Sequence, residues 1–350
     1  MTTHSPFAPD APDAPIAPVV PAMEAISLSK DFRLGRGQTL HAVRDVSFNL
    51  YSGGVVALVG ESGSGKSTAA RLLAGQERLT SGTIKLAGEL VSVGTQHAFR
   101  KYKSKVQYVF QDPFSSLNPV HTVSYHLERP VRLHQKGADV GTEINTLMEQ
   151  VRLTPAKQFL AKYPHELSGG QRQRVSFARA LAARPTVLLA DEPVSMLDVS
   201  IRLEMLALLD DLRKRLRIAM LYITHDIASA RYFADEVLVM YAGQIVERGP
   251  AEEITQQPRH PYTQLLIASA PDPDNLGSTL HRGSVTRRDK PAEGPAATGC
   301  PFSTRCPLVT DQCRAENPAL IPLSGTRAAA CWHLDQTDAG GGPQLVPHLL

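Results

Sequence analysis

Residues 60–67 have the residue types and the spacing of a phosphate-binding loop. Their sequence, G-E-S-G-S-G-K-S, fits the pattern G-x-x-x-x-G-K-[ST], and it lies between the apolar run 55–59 and a helix-forming stretch. Glycines let the backbone wrap closely with its N–H groups pointing inward, and the helix that follows presents its positive end to phosphate. We expect Lys66 to reach the β- and γ-phosphates and the Ser67 hydroxyl to bind Mg²⁺. The predicted nucleotide-binding residues of this loop are Gly60, Glu61, Ser62, Gly63, Ser64, Gly65, Lys66, Ser67 and Thr68.

Two adjacent carboxylates, Asp191 and Glu192, follow a second apolar run at 186–190. Ligand-binding groups of open α/β sheets lie at the carboxyl ends of strands, so we expect these side chains beside the phosphate loop. Asp191 is predicted to hold Mg²⁺ through water, and Glu192 is predicted to polarise the water that attacks the γ-phosphate. The alternative is that the pair only caps the helix that follows.

The pentapeptide L-S-G-G-Q at 167–171 precedes a basic, helix-forming stretch. A serine and two glycines at a helix N-terminus predict a second anion site. Because the phosphate loop already serves the nucleotide bound to this chain, the second site is best explained as half of a nucleotide site that two subunits share. The residues predicted to contact the nucleotide of the neighbouring subunit are Ser168, Gly169, Gly170 and Gln171.

Composition limits the class of protein. The chain has 350 residues, of which 42% are apolar, enough for one large domain or two ordinary ones. The net charge of +3 gives no reason to expect nucleic acid, and the basic cluster at 100–105 is interpreted as a solvated face. No apolar run approaches the ~20 residues of a spanning helix, and the N-terminus lacks the features of a secretory signal. We therefore expect a cytoplasmic chain whose membrane role comes through partners.

The elements that would position these residues alternate as in an α/β protein. The runs 55–59, 187–190 and 221–224 are typical of strands buried on both faces of a sheet, and Ala242-Gly243 is a tight hairpin signal. The segment from about 115 to 180 lacks strand runs and is predicted to be mostly helical. Apolar residues at helical spacing predict one buried helix face, formed by Ile201, Met205, Leu208, Leu209 and Leu212.

We predict four parts of the chain. Residues 1–22 have proline at every third position from 6 to 21, which indicates a disordered Pro/Ala-rich leader or, alternatively, a docking peptide. An ATPase domain is expected at 23–253. An extension with a cysteine motif is expected at 254–335, and a flexible tail at 336–350.

Taken in order, the motifs resemble those of the ATP-binding subunits of ABC transporters over about 26–253. The resemblance implies an α/β P-loop NTPase core of the ABC type, with an antiparallel β subdomain and a helical subdomain, followed by a small cysteine-containing C-terminal extension. It implies that Gln111, in V-F-Q-D-P, contacts Mg²⁺ and the attacking water and couples the site to the membrane subunits. It implies that His225, in I-T-H-D, contacts the γ-phosphate, and that Asp198, in L-D-V-S, lies at a dimer interface. Phe32 stands where the family has an adenine-stacking aromatic, although a strand or core role explains it almost as well.

The resemblance also implies the partners. A second ATPase subunit, identical or different, would pair head to tail with this one, with ATP clamped between 60–68 of one subunit and 168–171 of the other. Closure on ATP would pull on two transmembrane permease subunits, and hydrolysis would release them. The implied cofactors are ATP and Mg²⁺. The chain is expected at the cytoplasmic face of the membrane, with an extracytoplasmic substrate-binding protein as an indirect partner and no nucleic acid.

Three further stretches resemble one branch of these transporters, the importers of dipeptides, oligopeptides or nickel. They are V-F-Q-D-P-F-S-S-L-N-P at 109–119, Y-P-H-E-L at 163–167 and H-P-Y-T at 260–263. The resemblance implies an ATPase that energises the uptake of di- or oligopeptides, most similar to the second ATPase subunit of such importers. Because this subunit does not touch cargo, nickel, glutathione or another small cargo stays open. A soluble ABC ATPase outside transport is the alternative from a different class.

The four cysteines, Cys300, Cys306, Cys313 and Cys331, have the spacing C-x5-C-x6-C-x17-C. Structural zinc sites usually have closer pairs, so the wide gaps and two Cys-Pro steps favour a [4Fe–4S] cluster. The resemblance supports this prediction, since members of the importer branch carry such a cluster. Zinc, and free or locally buried thiols, are the alternatives.

Overall fold

The computed structural model describes residues 20–35, 37–92, 94–112, 116–269 and 298–334. The predicted leader, apart from its last three residues, and the predicted tail lie outside these ranges. No helix within them combines the length and the apolar character needed to cross a bilayer.

Two sheets carry the fold. The strands are β1 (Met23–Leu34), β2 (Gln38–Leu50), β3 (Val55–Val59), β4 (Ser81–Leu86), β5 (Glu89–Leu90), β6 (Val106–Val109), β7 (Val187–Asp191), β8 (Ala219–Thr224), β9 (Glu236–Tyr241), β10 (Gln244–Pro250), β11 (Ile321–Pro322) and β12 (Ala328–Ala329). A central sheet has the order β11-β12-β10-β9-β3-β8-β7-β6, and a smaller antiparallel sheet has the order β2-β1-β4-β5. In the central sheet the five strands from β9 to β6 are parallel, and β10, β12 and β11 extend it antiparallel.

Helices connect the strands and cover the central sheet. They are α1 (Lys66–Leu73), α2 (Gln96–Lys105), α3 (Val123–His134), α4 (Val140–Gln150), α5 (Lys157–Leu160), α6 (Gly169–Leu181), α7 (Val199–Leu216), α8 (Ile227–Phe233), α9 (Ala251–Gln256), α10 (Pro261–Ala268) and α11 (Asp311–Ala315). A 3₁₀ turn at Pro164–Glu166 precedes α6. From Val123 to Leu181 the described regular elements are helical. The predicted α/β core, with its antiparallel β subdomain and helical subdomain, is confirmed.

The central strand β3 shows why its apolar run is continuous. Val55, Ala57 and Val59 belong to one buried cluster with the residues of α6 and α7, whereas Val56 and Leu58 belong to a second cluster with α1 and the antiparallel sheet. Successive side chains of a strand point to opposite faces, and both faces of β3 are covered, so no polar side chain is tolerated along it. The phosphate loop therefore begins directly after a strand whose residues are all buried.

The predicted hairpin joins β9 to β10 through Ala242 and Gly243, whose φ angles are +47° and +86°. Positive φ at both central residues is what a two-residue hairpin turn requires, and glycine adopts it without strain. The turn lies against the phosphate loop, since the Gly243 N–H donates to the Ser64 carbonyl at 2.9 Å.

Candidate nucleotide-binding site

The predicted site residues meet at one edge of the central sheet. In the parallel register Val59 of β3 lies beside Thr224 of β8, and Asp191 of β7 lies beside Ile223. The residues that follow these strands, at 60, 192 and 225, therefore emerge side by side. This is the carboxyl edge at which open α/β sheets bind ligands.

Close backbone packing shapes the phosphate loop. A Cβ atom on Gly60 would lie 2.2 Å from the Met240 carbonyl oxygen, and one on Gly65 would lie 2.2 Å from the Ala42 carbonyl oxygen. Gly65 also has φ +104° and forms the N-cap of α1, which no side chain of the described residues caps. Since the first N–H groups of a helix have no partner inside it, this end of α1 is suited to bind phosphate oxygens.

Lys66 is folded back into this loop. Its side chain is buried, with 5% of its surface exposed, and its Nζ donates to the carbonyls of Gly60 and Glu61 at 2.7 and 2.8 Å. Burial lowers the pKa of the ammonium, and the nearby carboxylates of Glu192, Asp191 and Glu61 oppose that shift. A buried cation held by neutral carbonyls gains a stronger partner when an anionic phosphate enters.

Asp191 is held by two hydroxyl groups. Its Oδ1 accepts from the Ser67 Oγ at 3.1 Å, and its Oδ2 accepts from the Tyr108 hydroxyl at 2.6 Å. Burial is the main cause that raises the pKa of the Tyr108 phenol, and the negative charge of Asp191 is the second. This hydroxyl therefore stays protonated and donates. A carboxylate and a serine hydroxyl side by side are oxygen ligands of the kind that Mg²⁺ prefers.

Glu192 is contacted by both predicted partners. The Gln111 Nε2 donates to its Oε2 at 3.0 Å, and the His225 Nδ1 lies 3.2 Å from its Oε1. Glu192 has a backbone φ of +44°, which residues other than glycine seldom adopt. Its N–H donates to the Ile223 carbonyl at 2.9 Å. Strained backbone of this kind is common at active sites. The carboxylate thus stands between an amide and an imidazole, where it could accept a proton from a water molecule.

The L-S-G-G-Q turn has a different character. The Ser168 Oγ accepts from the Gln171 N–H at 3.2 Å, and the Gln171 Oε1 accepts from the Ser168 N–H at 3.1 Å, which closes a capping box at the start of α6. Ser168 and Gly169 are exposed. A Cβ on Gly170 would lie 2.8 Å from the Ile201 side chain, so this glycine lets α6 pack closely on α7.

Two predicted residues stand apart from these contacts. Asp198 precedes α7 as its exposed N-cap residue and makes no side-chain capping hydrogen bond there. Phe32 lies on β1, where the Lys30 ammonium is 4.7 Å from its ring centroid. Its ring is only partly buried, which leaves both interpretations of this residue open.

Sequence reasoning missed three residues that contact the site. Tyr108 binds Asp191, as described above. Tyr262 accepts a hydrogen bond from the Glu61 N–H, and Arg305 forms an ion pair with the Glu61 carboxylate. Tyr108 could have been suspected because it lies one residue before the end of β6 and three before Gln111. Tyr262 belongs to the H-P-Y-T stretch, but its contact with Glu61 spans 201 residues and that of Arg305 spans 244, so neither contact had a local signal.

The cysteines do not form a recognisable metal site. In the ranges that the structure describes, no group of three or more His, Cys, Asp or Glu side chains is placed to hold a metal ion. Burial raises the pKa of Cys306 to about 11 and also raises the pKa of Cys300 and of Cys331. The predicted iron–sulfur cluster therefore finds no support, and Cys300 and Cys313 belong to the apolar core.

The fold and the site define a P-loop ATPase of the ABC type, and comparison with known proteins agrees. Residues 43–195 match the family described as "ABC transporter", and residues 246–313 match the one described as "Oligopeptide/dipeptide transporter, C-terminal region". A dimeric structure of the ATP-binding cassette MJ0796 bound to ADP and Pi is 27% identical, with a TM-score of 0.59, and the match covers 65% of this chain and 98% of that one.

Curated relatives match almost the whole chain. A "Di/tripeptide transport ATP-binding protein DppF" of Pseudomonas aeruginosa is 39% identical over 90% of this chain and 98% of its own length. An "Oligopeptide transport ATP-binding protein OppF" of Haemophilus influenzae is 35% identical over 87% of this chain and 92% of its own. The chain belongs to the ABC transporter family of ATP-binding subunits, in the branch with the oligopeptide/dipeptide C-terminal region. It is an ATPase subunit of a transporter.

Proposed function

We propose that this chain is one of the ATP-hydrolysing subunits of an importer of di- or oligopeptides. One observation carries the proposal: an ATPase site with its side chains in contact is followed, in the same chain, by the matched C-terminal region of oligopeptide/dipeptide transporters. A near full-length relative called a di/tripeptide transport protein supports the cargo class.

The proposed roles follow from the contacts. Lys66 leaves the carbonyls of the loop to bind the β- and γ-phosphates, while Ser67 and Asp191 would hold Mg²⁺. The metal, when bound, would neutralise charge on the phosphates. Glu192 takes the proton of the attacking water, which Gln111 and His225 help to orient. In phosphoryl transfer most of the catalysis is positioning and charge stabilisation, so a preformed arrangement of these side chains is what the reaction needs.

We propose that a second ATPase subunit completes the site. Around Asp198, the residues before α7 and its first turns expose three apolar side chains: Met196 is 63% exposed, Val199 71% and Leu203 50%. Exposed apolar side chains grouped near one another mark interaction surfaces. The L-S-G-G-Q turn at 167–171, which we call the signature turn, packs on the same region, because Gly170 lies against Ile201 of α7. Burial of this surface against a partner would bring Ser168 to the partner's nucleotide.

A groove lined by residues of β6 and α3 supports the proposed permease contact. It has a volume of about 910 Å³ and lies between the central sheet and α3. Its lining combines aromatic and cationic side chains, among them Tyr108, Phe110, His121, Tyr125, Arg129 and Arg132. An amphipathic cytoplasmic segment of a permease, with apolar and acidic side chains, would complement it. Docking there would place the chain at the cytoplasmic face of the membrane, with an extracytoplasmic substrate-binding protein as an indirect partner.

Metal binding by the cysteine segment stays a prediction from sequence. Anaerobic purification with iron analysis and an absorbance spectrum would test the [4Fe–4S] cluster, since its charge-transfer bands distinguish it from zinc. Iron-free and zinc-free protein with four titratable thiols would leave buried thiols as the remaining interpretation.

The cargo is tested by uptake in cells. A strain that lacks the chain is complemented with wild type, with Glu192→Gln, or with Glu149→Gln, which makes the same change at an exposed position of α4. We expect uptake of a labelled dipeptide to be restored by wild type and by Glu149→Gln, but not by Glu192→Gln. Restored uptake of nickel or glutathione, with dipeptide uptake unaffected throughout, would overturn the peptide assignment while leaving the ATPase assignment intact.

A further inference from the structure

The phosphate loop is contacted by a part of the chain that lies far away in sequence. We call residues 251–269 and 298–334 the C-terminal segment. Arg305 of this segment donates from its two terminal nitrogens to the two carboxylate oxygens of Glu61, at 2.7 and 2.8 Å. Glu61 is the second residue of the phosphate loop. A bidentate pair restrains both partners more than a single contact does, because the planar guanidinium matches the carboxylate.

Aromatic rings hold Arg305 in place. The guanidinium carbon lies 5.6 Å from the ring centroid of Phe302 and 5.9 Å from that of Tyr241, within the range of cation–π attraction. Phe302 is buried against Tyr262, with 5.5 Å between ring centroids. The hydrogen bonds to Glu61 raise the pKa of Arg305 further, so its charge is permanent. The rings and the ion pair therefore restrain the position of the Arg305 guanidinium.

A second contact from the same segment holds the backbone of Glu61. Its N–H donates to the hydroxyl of Tyr262 at 2.8 Å, and Tyr262 is completely buried. The position of Tyr262 follows from the H-P-Y-T stretch, because the His260 Nδ1 caps α10 by accepting from the Tyr262 N–H at 3.0 Å. Burial lowers the pKa of His260 to about 3, so the ring is neutral and its Nδ1 can accept. This explains a motif that catalysis by itself leaves unused.

Glu61 is also one of the two loop residues whose carbonyls hold Lys66, the other being Gly60. The Glu61 carbonyl accepts from the Lys66 Nζ at 2.8 Å. The side chain of Glu61 is held by Arg305, its N–H by Tyr262, and its carbonyl holds the lysine that reaches phosphate. We propose that Arg305 and Tyr262 are positioning residues for ATP binding, and that the C-terminal segment keeps the phosphate loop in the conformation that accepts the nucleotide. Preorganisation of this kind lowers the entropic cost of binding.

This inference rests on the proposed ATP-binding role of the loop, and its consequence is a change in affinity for ATP. Removal of the arginine charge should raise the Kd for ATP roughly two- to fivefold, the range expected for a partly exposed ion pair. Tyr262→Phe should raise it about fivefold, because the partly buried Glu61 N–H loses its acceptor. Since these residues lie away from the reacting atoms, KM for ATP should rise more than kcat falls.

The test measures binding of a fluorescent ATP analogue to the purified full-length chain. Arg305→Met keeps the aliphatic stem over Phe302, and Arg314→Met is the matched control, an arginine of the same segment that pairs with Asp311 on the surface. Glu61→Gln removes the other half of the pair without touching the segment, so it reports even if Arg305→Met fails to fold. We expect the double variant Glu61→Gln/Arg305→Met to bind no more weakly than the weaker single variant, because both remove one interaction.

Three results would overturn the inference: unchanged affinity in Arg305→Met, an equal loss in Arg314→Met, or single-variant losses that multiply in the double variant. If the wild-type chain does not bind the analogue at all, that result contradicts the proposed function and is distinct from the three results above.

Discussion

The phosphate loop and the signature turn both present a helix N-terminus, but they use it differently. At the loop, α1 has no side-chain cap, Lys66 is buried against backbone carbonyls, and Ser67 is paired with Asp191. At the turn, Ser168 and Gln171 close a capping box at the exposed start of α6. One helix end is open and surrounded by its own chain, whereas the other is satisfied and faces solvent.

The difference indicates which step of ATP binding each region serves. The loop has buried charge and several neighbouring elements, so it can bind a nucleotide within one chain. The turn has no comparable enclosure, and we propose that it meets a nucleotide only when another subunit brings one. We therefore expect changes in the loop to alter binding of ATP by the single chain, and changes in the turn to alter only the ATP-dependent dimer.

The largest effect is expected at Glu192, the proposed base for hydrolysis in the closed dimer. Glu192→Gln should lower the rate of ATP hydrolysis about 10²- to 10⁴-fold, because the amide cannot accept the proton of the attacking water. ATP binding should persist, so the dimer should accumulate. Phosphate release and size-exclusion chromatography with ATP measure the two effects. Turnover at the wild-type rate would remove Glu192 from its role.

The next effect separates the loop from the turn. Lys66→Ala should weaken binding of ATP to the single chain about ten- to a hundredfold, because charged hydrogen bonds to phosphate are lost. Titration with the fluorescent ATP analogue, at protein concentrations too low for dimers to form, measures this loss of affinity. Lys162→Ala, at a lysine just before the 3₁₀ turn of the helical subdomain, serves as the control. Equal loss in both variants would contradict the assignment.

The turn is tested by a change that preserves its capping. Aspartate is as good an N-cap as serine, so Ser168→Asp should leave the free energy of unfolding within about 0.5 kcal/mol of wild type. Its negative charge would face the partner's phosphates, so ATP-dependent dimerisation should weaken at least about tenfold. Binding of ATP to the single chain should not change. Dimerisation at wild-type strength would show that the turn does not meet the nucleotide.

The smallest effect is expected at Tyr108, which links the loop to the proposed permease groove. Tyr108→Phe should raise the Mg²⁺ concentration for half-maximal hydrolysis about fivefold, because Asp191 loses a hydrogen bond that orients it. Tyr102→Phe is the matched control, since this buried tyrosine donates instead to the Leu73 carbonyl. A lower Mg²⁺ requirement in Tyr108→Phe would mean that the tyrosine competes with the metal rather than orienting its ligand.

Much of the fold could be predicted because its signals are local. The strand at 55–59 is a continuous apolar run that ends in glycine, and β3 has those bounds. The hairpin turn at Ala242-Gly243 likewise follows from residues adjacent in sequence. The roles of Gln111 and His225 were implied by the resemblance to ABC transporter subunits, and in the structure both side chains lie against Glu192. The four cysteines show the limit, because spacing alone could not tell metal ligands from buried thiols.

By itself, the amino-acid sequence determined which side chains could bind phosphate, hold Mg²⁺ and activate water, because those roles depend on residue type and on spacing within one loop or strand end. Only the tertiary structure decided that Tyr108 orients Asp191 and that Arg305 and Tyr262 hold Glu61. These contacts join residues separated by 83 to 244 positions, and such partners meet through packing of sheets and helices. Local residue patterns carry no record of that packing.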